Sequence, residues 1–295
     1  MAGFKDTFER IETKFLLEDF QYRALRERLE GMAQVDQYGK TSILNIYYDT
    51  PDFKLIRASL EKPVYKEKLR LRTYGIPEDD TRAFIEIKKK YKGIVYKRRV
   101  RMSKAGMEEY LQGATYQEAQ EHHPISSGDA ASDLAPGKLQ IARELDAFFR
   151  RYDGLAPSMV ISCLREAWAP IDPDDEDCVD RITFDEDISY IDLYEDGSTA
   201  RRPVTSADQV VMEIKCAGGY LVWLSSLLSS VGAYPRSFSK YGNAFKRSLA
   251  LKGDVEVHQS KSGKVSVHNI PLPNRRKADD GEMLIAPSEG YEIAS

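Results

Sequence analysis

With 295 residues the chain is long enough for one large domain or two small ones, and a hydrophobic content of 42% provides for a sizeable core. Charged residues make up 31%, yet the formal net charge is only −4, which excludes the bulk positive charge of a nucleic-acid-binding domain, so no nucleic-acid partner is expected. No apolar signal-peptide core follows Met1 and no run of about 18 apolar residues occurs, which leads to the expectation of a soluble, cytoplasmic protein.

In chain order, Arg10-Ile-Glu-Thr-Lys-Phe15 alternates as a strand, with Arg10, Glu12 and Lys14 on one face and Ile11 and Phe15 on the other. Tyr22, Leu25, Leu29 and Met32 then recur at helical spacing, predicting an amphipathic helix over Glu18 to Met32. Ser42 to Asp49 is rich in β-formers and closes on the turn signal Thr50-Pro51-Asp52. Tyr65 to Tyr74 points Lys66, Lys68, Arg70 and Arg72 to one face and Leu69 and Leu71 to the other. Phe84 to Lys88 sets Glu86 and Lys88 against Ile85 and Ile87, and Val95 to Arg101 sets Lys97, Arg99 and Arg101 against Tyr96 and Val100. Gly75 to Asp80 and Lys92-Gly93 separate these three strands at hairpin-like distances.

From about Ala105 to Gly154 the pattern is helical, with Met107 to Leu111 and Leu139 to Tyr152 flanking a polar stretch, His122 to Gly137, that reads as a surface loop. Strand signals return at Met159 to Ala167, Arg181 to Tyr190 and Gln209 to Lys215, where Glu213 and Lys215 oppose Met212 and Ile214. Tyr220 to Val231 places Leu221, Leu224, Leu228 and Val231 on one helical face, a packing helix. Beyond Lys252 the chain is polar and aperiodic, so a folded domain over 1–251 with a flexible tail over 252–295 is expected. Cations concentrate before residue 105, while Asp172 to Asp187 is densely acidic and includes Asp174, Asp175, Glu176 and Asp177. Cys163, Cys178 and Cys216 have no CxxC spacing, which argues against a disulfide framework or a zinc site and for a reducing compartment.

Five strands therefore carry a charged face and an apolar face. One such strand is an ordinary solvated edge of a sheet. Five of them, mixing long cations with a few carboxylates, describe a sheet curled so that the charged faces converge around water or a ligand, because an unpaired buried charge costs several kcal/mol. Lysines and arginines neutralise phosphate oxygens, and a carboxylate among them suits a divalent metal that bridges further phosphate oxygens.

The segments Arg10-x-Glu12-x-Lys14, Tyr48-Asp49-Thr50-Pro51, Glu67-Lys-Leu-Arg-Leu-Arg-x-Tyr-Gly75, Glu86-Ile-Lys88, Lys97-x-Arg99, Leu164-Arg-Glu-Ala167, Arg181-Ile-Thr-Phe-Asp185, Glu213-Ile-Lys215 and Phe238-Ser-Lys-Tyr241 resemble, in order, the catalytic domain of the vacuolar transporter chaperone (VTC) polyphosphate polymerases. That domain belongs to the CYTH-like triphosphate tunnel metalloenzymes, and the similarity runs from Phe8 to Leu249. The resemblance implies an α+β fold: a closed antiparallel barrel, or tunnel, of about eight strands with packing helices outside. It implies transfer of the ATP γ-phosphoryl group to a polyphosphate chain with Mn2+ or Mg2+, so ATP and inorganic polyphosphate, triphosphate or pyrophosphate are the expected partners. Matched position by position, Lys14, Arg70, Arg72, Lys88, Lys97, Arg165, Arg181, Lys215 and Lys240 become phosphate ligands and Glu213 the metal ligand. Ser239 adds a hydroxyl contact, Lys68 and Arg99 further substrate contacts, and Glu12 and Glu86 either hold metal or orient the lysines. The bland readings are that Lys66 and Lys68 are solvated, Arg99 pairs with an acid and Asp185 caps a turn.

Two departures stand out. Where many tunnel enzymes begin Glu-x-Glu-x-Lys, the first acid here is Arg10, which matches the VTC branch better than a two-metal hydrolase. Ser237 stands where relatives often place a lysine, beside Arg236. The SPX and membrane modules of the fungal proteins are not in this sequence, so any coupling to translocation is expected from a membrane-protein partner in trans. No Walker GxxxxGK[ST] and no kinase glycine-rich loop occurs, so side chains rather than a backbone cradle would hold a nucleotide. A tunnel hydrolase of triphosphate or nucleoside triphosphates and a non-catalytic polyphosphate-binding module are the alternatives, and RNA binding would require stacking aromatics beside the basic face.

Overall fold

Alternating segments form strands and 3.6-periodic segments form helices laid on their apolar faces. The computed structural model describes residues 10–75, 78–92, 94–125, 130–171, 181–194, 200–217, 221–251, 258–259 and 265–266. The acidic run before Arg181, Cys178 and most of the C-terminal tail lie outside the described residues. The elements are β1 (Arg10–Glu18), α1 (Asp19–Leu29), β2 (Ala33–Asp49), α2 (Lys54–Leu60), β3 (Tyr65–Tyr74), β4 (Arg82–Tyr91), β5 (Ile94–Ser103), α3 (Lys104–Leu111), α4 (Tyr116–His122), α5 (Ala130–Asp133), α6 (Pro136–Arg151), β6 (Ala156–Pro170), β7 (Arg181–Asp192), β8 (Arg202–Pro203), β9 (Gln209–Ala217), α7 (Val222–Ser230) and α8 (Lys240–Leu251), followed by the short pair β10 (His258–Gln259) and β11 (Val265–Ser266).

The fold is α+β. Its main sheet has the order β1-β9-β7-β6-β2-β3-β4-β5, with β8 on β7. The pairs β1–β9, β7–β9, β2–β3, β3–β4 and β4–β5 are antiparallel. Of the expected closed barrel, the antiparallel sheet with packing helices is observed; among the described residues β1 and β5 end the hydrogen-bonded order, so hydrogen bonds do not close the sheet. Among the described residues β5 pairs with β4 along one edge, and its first six residues are exposed.

The chain divides into two compact units, one of residues 1–42, 162–189 and 203–243 and one of residues 43–161, 190–202 and 244–295. In the first, Phe15 and Leu17 of β1, Ile182 and Phe184 of β7 and Met212 and Ile214 of β9 are buried with Leu25 and Leu29 of α1 and Leu224, Leu227 and Leu228 of α7. In the second, Leu69 and Leu71 of β3, Ile85 and Ile87 of β4 and Val100 and Met102 of β5 pack with Met107 and Tyr110 of α3, Tyr116 and Ala119 of α4 and Leu145 and Phe148 of α6. At about 1.5–3 kcal/mol for each fully buried large apolar side chain, these layers supply the driving force that places the helices and leaves the charged strand faces on the other side.

Several boundaries differ from the sequence reading. The first helix is shorter, because β1 runs on to Glu18, and Met32 is half exposed beyond the helix end. β2 begins at Ala33, nine residues before the β-former-rich segment, through a stretch in which Gln34, Gln37, Tyr38 and Lys40 are exposed. α2 follows the Thr50-Pro51 turn because the buried Asp49 carboxylate accepts from the N–H groups of Thr50, Leu55 and Ile56, each at 2.9 Å, capping the orphan donors of a helix start. The polar stretch His122 to Gly137 carries the end of α4, α5 and the first residues of α6, with Pro136 at the helix start. α8 was not expected. No helix among the described residues is long and apolar enough to cross a membrane.

Candidate functional site

In the first unit the register of β1, β9 and β7 builds two rungs of charge. Lys14 lies opposite Glu213 and Glu213 opposite Thr183, while Glu12 lies opposite Lys215 and Lys215 opposite Arg181. Lys215 Nζ is 2.9 Å from Glu213 Oε1, and Lys14 Nζ is 3.4 Å from both Glu213 Oε2 and Glu12 Oε1. Burial acts to raise the Glu213 carboxyl, but Lys14, Lys215 and Arg165 together hold it well below the usual carboxylate range. Arg181, half exposed, turns to Asp36 at 2.7 Å.

The next element of this face is Asp185, which caps no turn. Its side chain is 2% exposed and receives Arg165 in a bidentate pair, Nε at 2.6 Å and Nη2 at 2.8 Å, with Lys240 Nζ at 2.5 Å. Burial works against the anion, and Lys240 and Arg165 outweigh it, keeping the Asp185 carboxyl far below its ordinary value. Cys163 completes the cluster: its Sγ is 3.3 Å from Lys240 Nζ, and burial pushes its thiol upward. Lys240 reaches this position because the preceding segment lies along β1. Phe15 bridges Pro235, and the Arg236 N–H donates to the Lys14 carbonyl oxygen at 2.7 Å. Ser239 is the N-cap of α8, its Oγ accepting from the Gly242 N–H at 3.2 Å.

In the second unit one carboxylate organises four cations. Glu86, 1% exposed, meets Arg70 Nε at 2.7 Å and Lys97 Nζ at 2.6 Å, with Arg72 Nε and Arg99 Nη1 each at 3.9 Å. Arg70 also donates to Tyr47 Oη at 3.2 Å and Arg72 to Asn45 Oδ1 at 3.0 Å, which fixes both guanidinium planes. Arg99 lies over the Phe84 ring at 4.8 Å. Burial opposes ionisation of Glu86, yet Arg70, Arg72 and Lys97 bring its carboxyl down to about 2. Although the Lys97 side chain is 40% exposed, partial desolvation of its ammonium against Glu86 draws it down to about 8, with Arg72 and Arg70 adding to that effect and Glu86 resisting it. Lys68, Lys88 and Lys97 stand side by side in the neighbouring rung.

The donor set around Glu213 fits a hard divalent cation. Two carboxylates, Glu12 and Glu213, already share one ammonium, and Thr183 Oγ1, in register with Glu213, is buried with no hydrogen-bond partner among the described residues. Among the described residues no group of three or more His, Cys, Asp or Glu is arranged for a metal, so such an ion would complete its shell with water and ligand oxygens. Glu86 fits less well, since its two oxygens face four cations, Arg70, Arg72, Lys97 and Arg99, where those of Glu213 face two, Lys14 and Lys215.

The structure thus gathers Glu12, Lys14, Arg165, Arg181, Glu213, Lys215, Ser239 and Lys240 in one unit and Lys68, Arg70, Arg72, Glu86, Lys88, Lys97 and Arg99 in the other. Sequence reasoning missed Asp185, Thr183, Tyr47 and Asn45 as parts of these clusters. For Asp185 and Thr183 the signal was present, since period-two alternation from Arg181 places both on its face.

A family model, the VTC domain, matches residues 9–249. No curated protein matches the chain by sequence. Among solved structures the chain is similar to the PH1819 protein of Pyrococcus horikoshii OT3, at 14% identity over 81% of this chain and 99% of that one with a TM-score of 0.41. It is also similar to HpAC1 of Hippeastrum, a protein with a dominant triphosphatase activity, at 14% identity over 81% of this chain and 96% of that one with a TM-score of 0.43.

Proposed function

Because the chain belongs to the VTC domain family, we propose that it is an ATP-dependent polyphosphate polymerase, transferring the γ-phosphoryl group of ATP to a polyphosphate chain held by the charged faces of its sheet as in a triphosphate tunnel. One observation carries this reading: four cations, Arg70, Arg72, Lys97 and Arg99, share the single buried carboxylate of Glu86. One carboxylate neutralises one of them. The remaining positive charge, fixed in orientation by Tyr47 and Asn45, calls for an anion of several charges such as a chain of phosphates.

Phosphoryl transfer asks a protein for alignment and charge neutralisation more than for covalent chemistry. Glu86 and Asp185 preset the cations before substrate arrives, so little reorganisation accompanies binding. Arg70 and Arg72 present planar forks to phosphate oxygens, while Lys14, Lys215, Arg165 and Lys240 neutralise charge near Glu213. Glu213, assisted by Glu12 and the Thr183 hydroxyl, would hold Mn2+ or Mg2+. When bound, that ion offsets charge on oxygens of the transferring group. Glu86 serves as an anchor of cations rather than a ligand.

The purified protein incubated with ATP, Mn2+ and a short polyphosphate primer yields, on this reading, ADP and a ladder of phosphate chains on a polyacrylamide gel, lost in Lys215→Ala. Free phosphate or pyrophosphate without a ladder would replace the polymerase with a tunnel hydrolase. Glu213→Gln separates metal from phosphate binding: it abolishes the metal dependence of turnover while leaving metal-free tripolyphosphate affinity intact or stronger. An unchanged metal response would remove Glu213 from the metal site.

A further inference from the structure

The charged face of β3 and β4 does not stop at the residues that match the family pattern. Arg70, Glu86 and Arg99 form one rung, Lys68, Lys88 and Lys97 the next, and Lys66, Lys90 and Val95 the one after. From Arg70 to Lys66 the strand advances four residues, about 14 Å. Lys66 and Lys90 are direct cross-strand partners, with Cα atoms about 5 Å apart, an arrangement in which like charges repel. Lys62, in the turn between α2 and β3, and Lys246, on α8, add two more ammonium groups to the same neighbourhood. Burial lowers the Lys66 ammonium, and Lys90 and Lys62 lower it further; burial and Lys62 do the same to Lys246.

Among the described residues the cluster lacks counter-ions, although the chain has more acids than bases, 47 against 43. Lysines elsewhere in this unit find them: Lys89, on the opposite face of β4, pairs with Glu144 at 3.4 Å, and Lys104 pairs with Asp79 at 2.9 Å and Glu108 at 3.2 Å. Among the described residues none of Lys62, Lys66, Lys90 and Lys246 has a carboxylate within 4 Å, and Lys66 donates instead to the Ser59 carbonyl oxygen at 3.1 Å. Four crowded cations without a carboxylate partner among the described residues, two of them, Lys66 and Lys90, in line with a ladder of phosphate-binding side chains, are stabilised by negative charge supplied from outside.

We propose that Lys62, Lys66, Lys90 and Lys246 form an extension subsite for the distal phosphates of a long linear polyanion, by which the protein prefers long phosphate chains to triphosphate. The inference rests on the phosphate-binding reading of the charged face. A triphosphate anchored at Arg70 and Arg72 has only two P–O–P bridges and falls short of Lys66, so only a longer chain gains from the extension.

The test is calorimetric titration of the full chain with tripolyphosphate and with linear polyphosphate several tens of units long, at two salt concentrations. Wild type is compared with the K62Q/K66Q/K90Q/K246Q variant and with K62Q/K90Q, which changes only exposed side chains. The expected result is a loss of at least tenfold in long-chain affinity in the quadruple variant, a smaller loss in the double variant and a shallower salt dependence, with tripolyphosphate affinity kept within twofold. Unchanged long-chain affinity overturns the subsite, and so does a parallel fall for both ligands, which would make the lysines part of the common site or of its support. Wild type that binds neither ligand overturns the phosphate-binding reading itself, and the inference falls with it. Loss confined to a single-stranded RNA oligonucleotide, with polyphosphate unaffected, also overturns it.

Discussion

Replacing Glu86 by glutamine keeps the shape of the side chain and removes the charge that holds four cations together. In the wild type this carboxylate is 1% exposed and has Arg70 and Lys97 within 2.7 Å. Removing one partner of a buried ionic cluster costs about 3–5 kcal/mol, because the other charges remain buried and unneutralised. The carboxyl itself gives a consistent scale: held at about 2 rather than 4.5, it reports about 3 kcal/mol of favourable interaction in the folded state. For a domain of this size each kcal/mol moves the melting temperature by about 2–4 °C, so Glu86→Gln melts roughly 6–20 °C below wild type at pH 7. The sign with pH follows from the depressed folded value. The contribution of Glu86 is complete above pH 4.5 and is lost as the pH falls through about 2, so the gap between wild type and variant narrows on acidification. Tripolyphosphate at one hundred times its dissociation constant then returns about 2.7 kcal/mol to the variant by binding only the folded form. Urea unfolding at pH 7 and pH 3, with and without tripolyphosphate, reads all three effects. A destabilisation below about 1 kcal/mol at pH 7, or a gap that does not shrink in acid, would refute the assignment of Glu86 as the organising charge.

Asp185→Asn leaves the buried Arg165 and Lys240 without their anion; a loss of about 3–5 kcal/mol in urea unfolding is expected, together with weaker tripolyphosphate binding, whereas a stability within about 1 kcal/mol of wild type would show that the two cations find another partner. Lys97, with its ammonium lowered to about 8, is partly neutral in mildly alkaline solution, so phosphate binding takes up a proton there and tripolyphosphate affinity falls between pH 7 and pH 9.5. Lys97→Arg, permanently charged, flattens that profile, and a slope unchanged in the variant assigns the proton elsewhere. Gly106→Ala places a Cβ 2.9 Å from the Ala119 carbonyl oxygen and 3.1 Å from Ser103 Oγ, so the usual helix gain of about 1 kcal/mol reverses to a net loss of about 1–2 kcal/mol, and a higher urea midpoint would show that α3 and α4 separate easily.

The amino-acid sequence by itself determined the strands and their two faces. Period-two alternation is a property of consecutive residues, and it placed Lys14, Arg70, Arg72, Glu86, Lys215 and Glu213 on charged faces before any neighbour was known. It also held signals that went unread: Tyr241, Ala244, Phe245 and Leu249 recur at helical spacing and are buried along α8, and Asp185 shares the face of Arg181. α2 is different, because its start depends on the Asp49 carboxylate turning back onto Leu55 and Ile56, a local contact that composition does not announce. What only the tertiary structure decided is which charges meet. Asp185 is joined by Arg165 from 20 residues away and Lys240 from 55, and Glu86 is surrounded by Arg70 and Arg72 from β3 and Lys97 and Arg99 from β5. Alternation fixes the face on which a side chain lies, but strand order and register fix its neighbours. Those are set by apolar packing of the opposite face across long stretches of chain, which no local pattern records.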